Sequence, residues 1–104
     1  MQNLHDLSAA LENALGILEE EEREQAESCL RWSRRLTADS LDQQEQRHAR
    51  IELARLSELL GRRRTQAMPY AALGRAALAE HHGDTRSRDE FLRRAYDQLL
   101  LLGL

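Results

Sequence analysis

A chain with no valine and only two isoleucines, Ile17 and Ile51, has almost nothing from which to build a sheet. Strands draw on β-branched and aromatic side chains, and here the aromatic share is 4%: Trp32, Tyr70, Phe91 and Tyr96. Leucine and alanine recur instead at spacings of three and four, the period of a helix face. The expectation is an all-α protein, and 104 residues leave room for one domain.

The apolar positions divide the chain. Leu4, Leu7, Leu11, Leu15, Leu18, Ala26, Cys29, Ser33 and Leu36 share one face and predict a first helix from Leu4 to Thr37, with Gly16 inside it as a point of close helix approach. Glu19 to Glu22 then read as a solvated helix face. A second helix carries Leu41, Glu45, Ala49, Leu53, Leu56 and Leu60, is capped by Asp39 or Ser40, and stops at Gly61. The short connector makes the two antiparallel neighbours, a long hairpin over residues 1–61. Pro69 fits the first turn of a third helix that ends near Gly83. Asp84 or Ser87 opens a fourth, with Ser87 and Glu90 at capping-box spacing and Phe91, Leu92, Ala95, Leu99 and Leu102 on its apolar side. The predicted architecture is an antiparallel hairpin plus a shorter one over 69–104, together a bundle of three to four helices. The tail from Leu99 to Leu104 is apolar nearly all round and must be buried, in its own bundle or against another chain.

Charge excludes several functions. Eighteen acids against fifteen bases give a net charge of −3, the wrong sign for a general nucleic-acid binder. Every base is arginine, whose planar fork suits ion pairs between helices. Arg62, Arg63 and Arg64 read as a helix-end cluster with salt bridges rather than a phosphate site. The longest apolar run, Leu99 to Leu102, is far short of the ~20 residues of a membrane span, and the amino terminus has no signal-peptide pattern. A cytoplasmic location is expected.

Catalytic and metal chemistry find little support. Cys29 is single and reads as a small helix residue, and no serine stands beside a positioned base. There is no glycine-rich phosphate loop and no zinc pattern. Ferritin-like bundles use two Glu-x-x-His motifs; Glu45 with His48 is one copy, and Gln25 stands where a second histidine would be. His81 and His82 fall at a helix C-terminus, where histidine favours the dipole. No enzyme activity, cofactor or metal is expected.

Leu11, Leu15 and Leu18 running into Glu20, Glu21, Glu22, Arg23 and Glu24, and the stretch from Arg50, Ile51, Glu52, Leu53, Ala54, Arg55 and Leu56 through Leu59, Leu60, Gly61, Arg62 and Arg63, carry a resemblance. Over about residues 4–64 the chain resembles the bacterial flagellar type III export chaperones of the FlgN and FliT kind. That resemblance implies a cytosolic helical protein that holds an export substrate by an amphipathic helix. Tyr70, Leu73 and Gly74, then Gly83 and Asp84, then Ala95 and Leu99, resemble one tetratricopeptide-type hairpin, which also implies holding another protein. The expected function is therefore a partner-helix adaptor or export chaperone, with Leu53, Leu56, Leu60, Phe91, Leu92, Leu99 and Leu102 as its contact residues and a homodimer as one form. A regulatory or immunity protein that blocks a protein target is the alternative, and a metal-binding bundle the further one.

Overall fold

The computed structural model describes residues 3–38, 40–63 and 66–103. Among them there are five α-helices and no strand: α1 (Leu4–Ala14), α2 (Glu20–Thr37), α3 (Gln43–Arg62), α4 (Met68–His81) and α5 (Thr85–Leu102). The all-α bundle expected from the aliphatic composition is what forms, with more helices than the apolar stripes suggested.

The difference lies in the first stripe. A continuous helix from Leu4 to Thr37 would be about 50 Å long, yet the longest dimension of the molecule is 37 Å. The chain instead passes through a single 3₁₀ turn, Leu15–Ile17, and an extended Leu18, then reverses. Arg23 makes this turn possible. Its guanidinium donates to the carbonyls of Leu15 (3.2 Å), Gly16 (3.4 Å) and Leu18 (2.8 Å), the first of which also accepts the Leu18 N–H that closes the turn, so one side chain ties together the carbonyls where the helix ends. Glu20, Glu21 and Glu22 become the first turn of α2, where negative charge favours the helix dipole. They are thus a start signal rather than a mid-helix face. Gly16 marks no close approach, because a Cβ there would meet nothing.

Other boundaries move by a few residues. Asp42 caps α3, its carboxylate accepting from the Glu45 N–H at 2.8 Å; Ser40 does not, and Asp39 lies outside the described residues. Gly61 stays inside α3, which runs on to Arg62. Helix α4 begins at Met68, and of the segment between the two helices Arg64 and Thr65 lie outside the described residues. Pro69 sits in the first turn of α4 as expected. Gly83 takes a left-handed φ of +75°, which glycine adopts without penalty, and Asp84 rather than Ser87 caps α5 by accepting from the Ser87 N–H at 3.1 Å.

Helices α2 and α3 are antiparallel, joined at one end by Arg35 to Glu45 (3.4 Å) and at the other by Arg63 to Glu21 (3.5 Å) and Glu22 (3.7 Å). Helix α4 is the hub. It touches every other helix, and its contacts with α2, α3 and α5 are far more extensive than those with α1. Pro69, Tyr70, Ala71, Ala72, Leu73, Gly74, Ala76, Ala77 and Ala79 are all buried, so α4 has almost no polar side, the pattern of a helix enclosed by others.

Small residues let that enclosure close. A Cβ on Gly74 would lie 2.1 Å from Ser57 Oγ of α3, 3.1 Å from Cys29 Sγ of α2 and 3.1 Å from Leu53 Cδ1. Three helices therefore meet at a point with no space for a methyl group. Tyr70, one turn earlier and fully buried, donates its hydroxyl to the Leu11 carbonyl of α1 at 2.6 Å, while its own carbonyl accepts the Cys29 thiol at 3.1 Å. The Leu11 carbonyl is available because the N–H of Leu15 bonds Glu12 instead, as α1 ends.

Two predictions arise. Alanine at position 74 gains about 1 kcal/mol in helix propensity, but overpacking of this kind costs about 1–3 kcal/mol or more. Gly74→Ala should lower the unfolding free energy in urea, and Ser57→Ala, which removes a buried hydroxyl without a hydrogen-bond partner, should restore much of the loss. A rise in stability for Gly74→Ala alone contradicts the close approach.

The second concerns pH. Hydrogen bonds hold four carboxyls below their ordinary range: Glu12 by Arg34, Asp42 by the Glu45 backbone, Glu52 by Arg55 and Asp84 by the Ser87 backbone. Burial, with Arg50 and His82, likewise lowers His81. A lowered folded-state value means the unfolded chain binds protons first, so stability declines as pH falls. The thermal midpoint should decline slightly below about pH 6.5 and more steeply below about pH 4, and His81→Gln should remove only the upper step.

Candidate functional site

The leucines expected to contact a partner are mostly inside. Leu53 and Leu60 of α3 are fully buried, Leu56 nearly so, and Leu92 and Leu99 of α5 join the same core. In this folded state none of the five is on the surface. Phe91 is half-buried against the core, with the Arg94 guanidinium 5.4 Å from its ring centre. Leu102 belongs to α5, and its side chain lies outside the described residues.

What the surface does present, among the described residues, is the middle of the leucine tail. Leu92, Ala95 and Leu99 follow the three-and-four spacing inward, and each further residue turns by about 100°. Leu100 and Leu101 therefore point outward and are 79% and 85% exposed. Burial of the tail is thus split, with Leu99 in the core and the next two leucines in the open. Consecutive leucines were the available signal, since four in a row exceed what one helix face can bury. Ile51 of α3 and Ile17 of the 3₁₀ turn are the other large apolar side chains exposed among the described residues.

A second surface feature lies where α2 ends and α3 begins. Trp32, Arg35, Asp42, Gln44, Glu45 and His48 line a depression of about 440 Å³. The His48 ring meets the indole edge-on at 5.2 Å between centres, and the Arg35 guanidinium lies 5.3 Å from the indole centre while pairing with Glu45. Glu45 and His48, the residues of the Glu-x-x-His match, are thus engaged by Arg35 and Trp32. Among the described residues no three His, Cys, Asp or Glu side chains gather in a way that could hold a metal ion.

The remaining chemistry-bearing groups have structural surroundings. Arg62 pairs with Glu58, Arg63 reaches the acids that open α2, and Arg64 lies outside the described residues. The rings of His81 and His82 meet at 5.7 Å beside the C-terminus of α4. Cys29 is enclosed between α2, α3 and α4, and burial pushes its thiol up to about 12, the reverse of an activated nucleophile. Burial also pushes the Tyr70 phenol up.

In comparisons with protein-family models, with curated proteins and with solved structures, none matches this chain. No helix among the described residues is long and apolar enough to cross a membrane.

The placement of Cys29 carries its own test. Labelling by a thiol reagent should be slower in the native protein than in urea by a factor approaching the folding equilibrium constant, because only opening of the α2–α3–α4 contact exposes the thiol. Fast native labelling would contradict the enclosed geometry.

Proposed function

We propose that this protein is a non-enzymatic, cytosolic helical module that holds a helix of another protein, in the manner of an adaptor or export chaperone. The observation that supports this most is the adjacent pair Leu100 and Leu101, exposed at the end of α5 next to a core that already takes Leu99. Two leucines left in water forgo about 1.5–3 kcal/mol each of possible burial, a gain available on docking against an apolar surface. The neighbouring exposed side chains Arg93, Arg94 and Asp97 form a polar rim of the kind that surrounds an interface core. The buried thiol, the engaged Glu45 and His48 and the ion-paired Arg62 and Arg63 lend no support to a chemical function. The resemblance to flagellar type III export chaperones suggests the terminal amphipathic helix of an export substrate as the partner, in a bacterial cytosol, and a homodimer as a form in which the leucine pair is covered by a second copy.

Leu100→Ser with Leu101→Ser tests this, because neither side chain belongs to the core. The double variant should keep the thermal midpoint of the parent. It should lose, by at least tenfold in recovered amount, the proteins cross-linked to the parent chain in its native host, or the dimer mass in light scattering. An unchanged partner set together with an unchanged mass removes the leucine pair from the function.

A further inference from the structure

Helix α1 differs from the other four in how it is held. It lies antiparallel along α2, with Leu4, His5 and Ser8 facing Ser33, Arg34 and Thr37, yet that seam does not close. A depression of about 420 Å³ opens between the first half of α1 and the facing parts of α2 and α4, and another of about 390 Å³ opens between its second half and Leu30, Arg31 and Arg34. The Ser33 hydroxyl, buried at the edge of the first depression, has no hydrogen-bond partner.

What anchors α1 is brief and specific. Leu7 and Leu11, one turn apart, are fully buried. The Tyr70 hydroxyl donates to the Leu11 carbonyl at 2.6 Å, and Arg34 pairs with Glu12 at 2.9 Å. Eleven residues are too few for a stable helix in water without such support, and the link to α2 is a 3₁₀ turn clamped by one side chain, Arg23. Helices α2 to α5, by contrast, pack extensively on one another through α4.

We propose that α1 is a displaceable plug, and that the groove it fills on α2, α4 and α5 is the receptor for a partner's amphipathic helix. The geometry of α1 defines that partner: two leucines four residues apart, an acid directly after the second to meet Arg34, and a helix end at that point, so that a free carbonyl faces the Tyr70 hydroxyl. This rests on the helix-holding reading above and names the site and the ligand. Because α1 is tethered, it competes at high effective concentration, and the free protein keeps its own groove closed.

Native-state hydrogen exchange on the unmodified chain is the first arm of the test. The amides of Leu11 and Glu12 should exchange at least tenfold faster than those of Leu73 and Ala76, through an opening that leaves α4 protected. Equal protection overturns the proposal, since α1 then leaves only when the whole molecule unfolds. The second arm uses the full chain carrying Leu11→Ala and a labelled synthetic peptide of residues 3–18. The variant should keep α4 protection and bind the peptide at least tenfold more tightly than the parent chain does, while a peptide with serine at positions 7 and 11 should not bind. Loss of α4 protection in the variant, or no gain in peptide binding, also overturns it. None of these outcomes bears on the Leu100 and Leu101 experiment, so the two readings fail separately.

Discussion

The contact that the rest of the structure depends on is the missing side chain of Gly74. With 2.1 Å between a hypothetical Cβ and Ser57 Oγ, α3 sits so close to α4 that no side chain fits at position 74 while Ser57 holds its place, and Cys29 brings α2 to the same point. From that junction the order of the bundle follows. Leu53 and Leu60 on one side and Tyr70 and Leu73 on the other fill the space that the close backbones define. Packing at this density leaves little tolerance for added volume. It also encloses Cys29, the single cysteine, whose thiol burial holds in its protonated form.

The composition made the all-α class legible, and the periodicity placed α3, α4 and α5 within a few residues of their ends. The first stripe was misleading for a physical reason. Leu4 to Leu18 and Ala26 to Leu36 each face the same core, and two antiparallel helices with inward faces keep a period close to that of one continuous helix. The break is carried by Arg23, whose side chain reaches back five to eight residues to three carbonyls, an interaction no spacing rule registers. Three successive glutamates were the visible trace, since acids in a row suit a helix start better than its middle.

The candidate site was less legible than the fold. Apolar periodicity identifies side chains that prefer burial, but not whether the chain itself supplies the cover. Leu53, Leu56, Leu60, Leu92 and Leu99 are covered from within, and a surface role passes to the leucines that the helix turn carries past the core. The Trp32 cluster was invisible for a related reason. Its parts, Trp32 and Arg35 of α2 and Glu45 and His48 of α3, stand on two helices that only tertiary packing brings side by side.

A helix enclosed on nearly every side also imposes an order on synthesis. Helix α4 is the common neighbour of all the others, yet its residues, Met68 to His81, leave the ribosome only after α1, α2 and α3 have done so. Until then the leucines of α2 and α3 have no central helix to close upon, and the nascent chain exposes them. For that interval the growing polypeptide carries apolar surface that the finished fold hides, and slow passage through codons ahead of position 68 would lengthen the exposure.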